Sequence, residues 1–374
     1  MEKLSVTEEN IIFRKITIQV TNETIPITNQ PLLSVIIPVH NGKKHIEKCL
    51  DALIASFYSP IEIIVVDDGS TDDTGLLSRQ KGATVFRLPK QSGPASARNF
   101  GAQHAQGEIL LFIDSDVIVR RESISLIAAK LQHYPEIAAV FGSYDDEPAE
   151  ANFMSQYRNM FHHFHHQHSD MEAFTFWAGC GAIRKKVFNE IRGFDQKRYE
   201  KSSIEDIELG YRIRKKGYRI LLDKGLQVKH LKRWEFLSLL RTDIFQRAIP
   251  WSRLILETKF LPKNLNLKLS HKISSILVAL IFLLMPSLFL THTKFYNIPV
   301  PHIAGFFSLI LFTNFLILNR KLYSFYTKKR GILFTIKVIP LHILYYLYSG
   351  ASFVSCWIVY KITIFESFNH PEKD

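Results

Sequence analysis

Two pairs of carboxylates stand where chemistry needs them. Asp114 and Asp116 follow the unbroken apolar run Ile109-Leu-Leu-Phe-Ile113, and Glu205 and Asp206 stand together in Ser202-Ser-Ile-Glu-Asp-Ile-Glu-Leu-Gly-Tyr211. Carboxylates one residue apart at the end of a buried strand present hard oxygen ligands to Mg²⁺ or Mn²⁺, and such an ion in turn holds a diphosphate. The adjacent pair has two readings. A carboxylate can accept a proton from an attacking hydroxyl. It also suits a first helical turn, where Ser202 with Glu205, or Ser203 with Asp206, fits a capping box and the acids agree with the helix dipole.

Such groups act together only if the elements that carry them end together. Leu33-Ser-Val-Ile-Ile-Pro-Val-His-Asn-Gly42 reads as a short buried strand with Pro38 near its end, since proline cannot donate to a ladder. Lys43 to Phe57 has helical spacing, with Ile46, Leu50, Leu53 and Ile54 on one face. Ile61-Glu-Ile-Ile-Val-Val66 is a second buried strand; Asp67 and Asp68 end it, and a Gly-Ser-Thr-Asp turn caps a further helix. Ala83 to Leu88 is a third strand, and Gly93-Pro94 opens a helix that leads to the 109–113 run. The free amides of that helix start suit a phosphate, and Arg98 adds a fixed charge. This alternation predicts a doubly wound α/β sheet, with the 109–113 run as a buried strand of a parallel sheet. Ligands of such sheets lie beyond the carboxyl ends of the strands.

The motifs Val-Ile-Ile-Pro-Val-His-Asn41, Ile-Val-Val-Asp-Asp-Gly-Ser-Thr-Asp72, Gly-Pro-Ala-Ser-Ala-Arg-Asn99 and Ile-Asp-Ser-Asp116, in this order, resemble the family-2 glycosyltransferases with the GT-A fold. The resemblance runs to about Trp251. It implies a GT-A (Rossmann-like) catalytic domain over 31–262, a nucleoside-diphosphate sugar donor and an inverting hexosyltransferase. By the same resemblance Pro38, His40, Asn41, Asp67, Asp68 and Arg98 line the nucleotide pocket. Asp116, helped by Asp114, holds Mg²⁺ or Mn²⁺. Asp206 is the general base, with Glu205 beside it.

Phe174-Thr-Phe-Trp-Ala-Gly-Cys-Gly-Ala-Ile183 sits under the donor sugar in the resembled family, so Trp177, Gly179 and Gly181 belong to the expected donor and acceptor pocket. The family's Gly-Gly-Phe-Asp-like turn stands here as Arg192-Gly-Phe-Asp195, where Gly193 also fits a tight strand-to-helix turn. His230, beyond a strand at Arg219–Asp223, is a candidate to close over the diphosphate. Arg247 and Trp251 stand where processive relatives carry Gln-x-x-Arg-Trp, but Gln246-Arg-Ala-Ile-Pro-Trp251 departs from that spacing, which argues against processive synthesis. The helical stretch Phe153 to His168 holds His162, His163, His165, His166 and His168; the readings are a polar face beside an acceptor groove or a metal site.

The chain has 374 residues, 47% of them hydrophobic, and a formal charge of +12. From Lys263 onward there are 12 Lys/Arg against 3 Asp/Glu. Those basic residues bracket three uncharged runs, 273–290, 298–318 and 338–360, each long enough to cross a bilayer. The charge therefore points to a lipid surface rather than to nucleic acid. Arg320, Lys321, Lys328, Lys329 and Arg330 in the 319–331 loop outnumber Lys294 in the 291–301 loop. The positive-inside rule then puts the catalytic domain and the 319–331 loop in the cytoplasm of a multi-pass protein of the cell (inner) membrane. The third run is also aromatic enough to lie along the interface.

Cys49, Cys180 and Cys356 match neither a disulfide framework nor a zinc spacing. The extension 1–30 shows no signal-peptide pattern, and Ile11 to Val20 reads as an edge strand or hairpin. The leading expectation is a membrane-anchored enzyme, with 263–374 as its membrane domain. It transfers one sugar to a lipid-linked or membrane-near acceptor in cell-envelope glycan or glycolipid synthesis. The alternatives are a processive polysaccharide synthase and an inactive sugar-nucleotide-binding scaffold.

Overall fold

The computed structural model describes residues 30–259 and 269–369, so the β-rich run 11–20 lies outside the described residues. The first four main strands are β1 (Leu33–Val39), β2 (Ile61–Asp67), β3 (Thr84–Arg87) and β4 (Ile109–Ile113). They lie side by side in the order β3-β2-β1-β4, all parallel. All seven residues of β1 and all five of β4 are buried. That follows from helices packed on both faces. On one side are α1 (Ile46–Ile54) and α4 (Ser123–His133), and on the other α3 (Pro94–His104), α6 (Lys185–Glu190) and α7 (Glu205–Lys215). Helix α2 (Thr74–Gln80) bridges β2 and β3. Helix α1 is shorter than the 43–57 spacing suggests.

The sheet is mixed rather than parallel. Strand β8 (Cys180–Arg184) lies antiparallel between β4 and β6 (Ile137–Tyr144), while β9 (Arg219–His230) runs parallel to β6 and pairs with the two-residue strands β5 (Val117–Ile118) and β7 (Glu172–Ala173). An apolar run is buried equally well in either direction, so composition does not carry strand direction. β9 also continues past Asp223 to His230, because its second half alternates buried and exposed positions and still finds partners in β6 and β5. Gly193 (φ +63°) follows Arg192 (φ +62°) in the turn that ends α6, not in a strand-to-helix turn.

Three later helices are long and apolar enough to cross a membrane: Leu269–Phe289, Val300–Leu318 and Ile332–Thr363. They comprise α10 (Leu269–Leu284, continued by a 3₁₀ turn), α11 (Val300–Leu318) and most of α13 (Ile332–Asn369). The basic stretch expected as a loop is itself a helix, α12 (Arg320–Arg330). Leu322, Tyr323 and Tyr326 on one side of it are buried, so an apolar stripe folds what charge alone marks as a connection. α12 packs on α5 (Phe153–Gln167): Tyr326 Oη donates to the Tyr157 carbonyl at 2.9 Å, and Arg330 Nε donates to Gln156 Oε1 at 2.7 Å.

A second joint lies between the sheet domain and α13. The chain passes through α8 (Phe236–Arg241) and a π-helical turn, Thr242–Ala248, to α9 (Ile249–Thr258). In that turn buried Asp243 accepts from Arg158 of α5 at 3.0 Å, Arg247 at 2.8 Å and the Tyr348 hydroxyl of α13 at 2.7 Å. Removing one partner of a buried ion pair strands the other charge. Asp243→Ala should therefore lower unfolding stability by about 3–5 kcal/mol in denaturant titrations of the detergent-solubilised chain. Arg247→Ala, which removes the half-exposed i,i+4 partner, should cost only about 0.3–0.5 kcal/mol. Equal losses would show that Asp243 does not hold this joint.

Candidate functional site

The carboxyl ends of β1, β2, β4, β6 and β9 share one edge of the sheet. That geometry brings most of the singled-out side chains into one region. At β4, Asp114 and Asp116 leave the sheet half-buried. The Asp114 amide donates to the Gly179 carbonyl at 3.3 Å, and the Leu231 amide donates to the Asp116 carbonyl at 2.8 Å. The turn is thus held by backbone from both neighbours, and the two side chains point past the strand end.

Arg98 on α3 is 5% exposed and lies between two carboxylates. Its guanidinium donates to Asp114 Oδ1 at 2.8 Å and to Glu205 Oε1 at 2.9 Å. Glu205 uses its second oxygen to accept the Ser203 amide at 2.8 Å. Neither capping box forms: the cap of α7 falls on Ile204, with no side-chain cap bond, because Arg98 draws the Glu205 carboxylate inward. Ser203 Oγ donates instead to the Gln246 carbonyl at 3.0 Å.

Asp206 is hydrogen-bonded to backbone rather than to Arg98. Its oxygens accept the Ala178 amide at 3.1 Å and its neighbour Ile207's amide at 2.8 Å. Burial, reinforced by the adjacent Glu205, pushes the Asp206 carboxyl up to about 7, against the pull of Arg98 and the two amides. Asp114 and Asp116 move in opposite directions. Burial pushes Asp114 up in spite of Arg98. Burial acts likewise on Asp116, but His230 outweighs it and holds that carboxyl below its ordinary value. His230 Nε2 lies 3.6 Å from Asp116 Oδ2, and the His230 ring stacks on Tyr144 at 4.1 Å.

The segment before β8 is shaped by what its glycines leave out. A Cβ on Gly179 would meet the Trp177 indole at 2.5 Å, and one on Gly181 would meet the Trp177 carbonyl at 2.3 Å. The indole therefore folds back over the strand and packs on Tyr144 and His162. The histidine-rich face of α5 is not polar surface. His163, His165 and His166 are buried, and burial holds His162, His165 and His166 below their ordinary values, His166 at about 4. They pack as neutral rings, and no three metal-ligating side chains cluster among the described residues.

At the β1 and β2 ends the partners are internal. Asp68 accepts the Ser92 and Gly93 amides at 2.7 and 2.8 Å, which fixes the start of α3. Asp67 accepts the Ser70 amide at 2.8 Å. His40 and Asn41 are exposed, and Asn41 (φ +52°) accepts the Thr71 amide at 2.8 Å. Pro38 is the penultimate residue of β1, beyond the last β1–β4 pair at Ile36. Arg247 is paired with Asp243, and Trp251 Nε1 donates to the Tyr211 hydroxyl of α7 at 3.1 Å. Tyr144 and the Ala178 amide are site groups that motif spacing misses. An aromatic residue at the end of the buried run 137–144 was the available signal for the first; a backbone amide has none.

The Arg98 bridge has a pH signature. Arg98→Gln leaves carboxylates in the interior without their cation, at a cost of about 3–5 kcal/mol at neutral pH. Asp114, already pushed up by burial, regains neutrality by taking a proton. The stability deficit should therefore shrink as pH falls from neutral toward 5. Denaturant midpoints of variant and wild type at both pH values measure this; a pH-independent deficit would mean that Arg98 acts by packing alone.

Residues 34–192 match the family model described as glycosyl transferase family 2. Over 127 residues the chain is 31% identical to glycosyltransferase GlyG of Streptococcus pneumoniae serotype 4, covering 33% of this chain and 42% of that protein. It is 41% identical over 93 residues to glycosyltransferase AglE of Haloferax volcanii, covering 23% and 31%. The matched region is thus less than half the length of these relatives. Among solved structures, the mannosyltransferase PcManGT of Pyrobaculum calidifontis, in complex with GDP-Man and Mn²⁺, superposes with a TM-score of 0.53 at 18% identity, covering 87% of this chain and 88% of that one. Motif, sheet and relatives agree: residues 34–192 match the glycosyl transferase family 2 model, and the sheet that holds them has a GT-A fold.

Proposed function

We propose that this chain is a membrane-anchored, inverting glycosyltransferase. It moves a single hexose-type sugar from a nucleoside-diphosphate donor to a lipid-linked or membrane-near acceptor in cell-envelope glycan or glycolipid synthesis. The extension 1–30, catalytic domain 31–262 and membrane domain 263–374 are the proposed divisions. The catalytic domain and α12 share the cytoplasmic side of the cell membrane, a reading supported by the packing of α12 on α5.

The observation that carries the chemistry is the division of labour in the 205–206 pair. Glu205 is bound to Arg98, whereas Asp206 is bonded only to backbone amides and has its carboxyl raised to about 7. Such a carboxylate is a stronger base near neutral pH than an ordinary aspartate, so it accepts a proton more readily. The acceptor hydroxyl oxygen attacks the anomeric carbon from the face opposite the diphosphate. The new carbon–oxygen bond forms as the old one breaks, its electron pair leaves with the nucleoside diphosphate, and Asp206 takes the hydroxyl proton. Glu205, through Arg98, positions this end of α7.

Asp114 and Asp116 suit a divalent cation, since Asp114 keeps one oxygen outside the Arg98 bond and the side chain in ion-pair range of Asp116 among the described residues is His230. These two carboxylates would hold Mg²⁺ or Mn²⁺, which would supply positive charge for the diphosphate leaving group. Pro38, His40, Asn41, Asp67 and Asp68 border the nucleotide, and Arg98 acts by fixing Asp114 rather than by free contact with a phosphate. Trp177, Gly179 and Gly181 form the wall under the sugar, with His230 opposite. Arg247 and Trp251, tied to the π-helical turn and α7, border the acceptor approach.

Two measurements test this. Asp206→Asn should leave donor affinity unchanged and lower turnover by about 10²–10⁴-fold. In the wild type the acid limb of kcat/KM for the acceptor should fall as pH drops through about 7, where Asp206 gains its proton. Turnover of the variant within a few-fold of wild type would remove Asp206 from the mechanism. Separately, excess EDTA and Asp116→Asn should each abolish transfer; full activity in EDTA would exclude the metal.

A further inference from the structure

A cavity of about 560 Å³ opens on the far side of α5 from Trp177, between the end of α5, the start of α10, the end of α11 and the start of α12. His162 and His166 face the indole, whereas His165 and His168 line the cavity. Its floor is apolar and includes Leu277 and Ile317, and its rim carries Arg320 and Lys321. Among the described residues, no aspartate or glutamate lines it. Arg320 and Lys321 are exposed, and among the described residues neither has a carboxylate partner.

Two further features point to an anion. His165 is 7% exposed, and its Nε2 has no hydrogen-bond partner. Burial, with the nearby His271 and His342 rings, keeps it neutral, so Nε2 can carry a hydrogen and donate it. The eleven-residue helix α12 also starts here without a side-chain cap. Asn319, which stands at the cap position, is turned to Ser274 Oγ at 3.0 Å and to the Phe315 carbonyl at 2.9 Å. In that first turn the Leu322 and Tyr323 amides donate to the Asn319 carbonyl at 3.0 and 3.2 Å, so the amides of Arg320 and Lys321 are the ones left to meet an anion. The cavity lies where the candidate spans Leu269–Phe289 and Val300–Leu318 begin and end, next to the sheet domain.

We infer that this cavity binds the phosphate of an anionic membrane lipid, with His165, Arg320, Lys321 and the first turn of α12 around the headgroup and the lipid chain along the apolar floor. The site is separate from the transfer centre. The inference rests on the reading that α10, α11 and α13 lie in a bilayer.

The experiment uses the full chain in detergent micelles doped with phosphatidylglycerol or phosphatidylcholine, with inorganic phosphate as a third arm. Thermal unfolding and lipid retention in native mass spectrometry are the readouts. Phosphatidylglycerol should raise the unfolding temperature and stay bound, while phosphatidylcholine and inorganic phosphate should do neither. Arg320→Gln and Lys321→Gln should each weaken phosphatidylglycerol binding by about fivefold. His165→Phe, which keeps a ring but removes the donor, should weaken it several-fold, and Lys272→Gln on the outer side of α10 should not change it. Unaltered phosphatidylglycerol binding in all three cavity variants would overturn the inference, as would an equal response to inorganic phosphate, which would mark a soluble-anion site. Alkaline carbonate extraction separates the two readings. Release of the chain from membranes would fail the bilayer reading itself, whereas a retained chain indifferent to phosphatidylglycerol would fail only the lipid site.

Discussion

Three charges meet where β4 ends and α7 begins, in a place largely closed to water. The Arg98 guanidinium answers Asp114 on one side and Glu205 on the other. Two carboxylates in a low-dielectric interior repel each other and lose hydration, so without a fixed cation one of them must take a proton or the elements must part. The bridge joins α3 and β4, which follow one another in the chain, to α7 about a hundred residues later, and leaves Asp206 as the acid of its pair with no hydrogen-bonded cation. The rise in the Asp206 carboxyl follows from that arrangement: its neighbour has the counter-charge, and it has the burial.

Much of the sheet was legible because buried strands in α/β folds write themselves as apolar runs. Ile109 to Ile113 and Ile61 to Asp67 begin and end where composition places them. Gly93-Pro94 marks the start of α3 for a local reason, a glycine at φ +86° followed by a ring already set for the helix. What was not legible depends on the rest of the fold. Strand direction is invisible in an apolar run, so β8 entering antiparallel was not anticipated. The serines before Glu205 have capping spacing, yet a buried arginine over a hundred residues upstream outbids them for that carboxylate. The histidines of α5 look polar as letters, yet His162 and His166 pack against Tyr144 and Trp177, and burial holds both below their ordinary values. Charge counts alone described 319–331 as a connection; the tyrosine and leucine stripe that makes it a helix is a packing fact.

Helix α5 connects the two halves of the molecule. One side carries His162 and His166 against Trp177, and another carries Tyr157, Phe161 and Phe164 into the third hydrophobic core with α12 and α13. His163 spans both, with its Nδ1 at 2.8 Å from the Tyr144 carbonyl and its ring parallel to Phe325 of α12. Tyr144 in turn stacks on His230. A path of two ring stacks joined by one hydrogen bond to the backbone therefore runs from α12 to the strand edge that bears Asp116.

The ribbon 178–179 bears on how this domain can change over evolutionary time. Gly179 receives the Asp114 amide through its carbonyl, and Ala178 gives its own amide to Asp206. A stretch of three peptide units, from the Ala178 amide to the Gly179 carbonyl, thus links the Asp114 backbone to the Asp206 carboxylate, 92 positions apart in the chain. Any drift in β8 displaces both ends at once and preserves their separation, much as a ruler keeps its length when moved. Side chains at exposed positions such as His40 and Asn41 take no part in that ruler, so a change there alters the surface of the strand edge without altering the distance between the β4 end and α7.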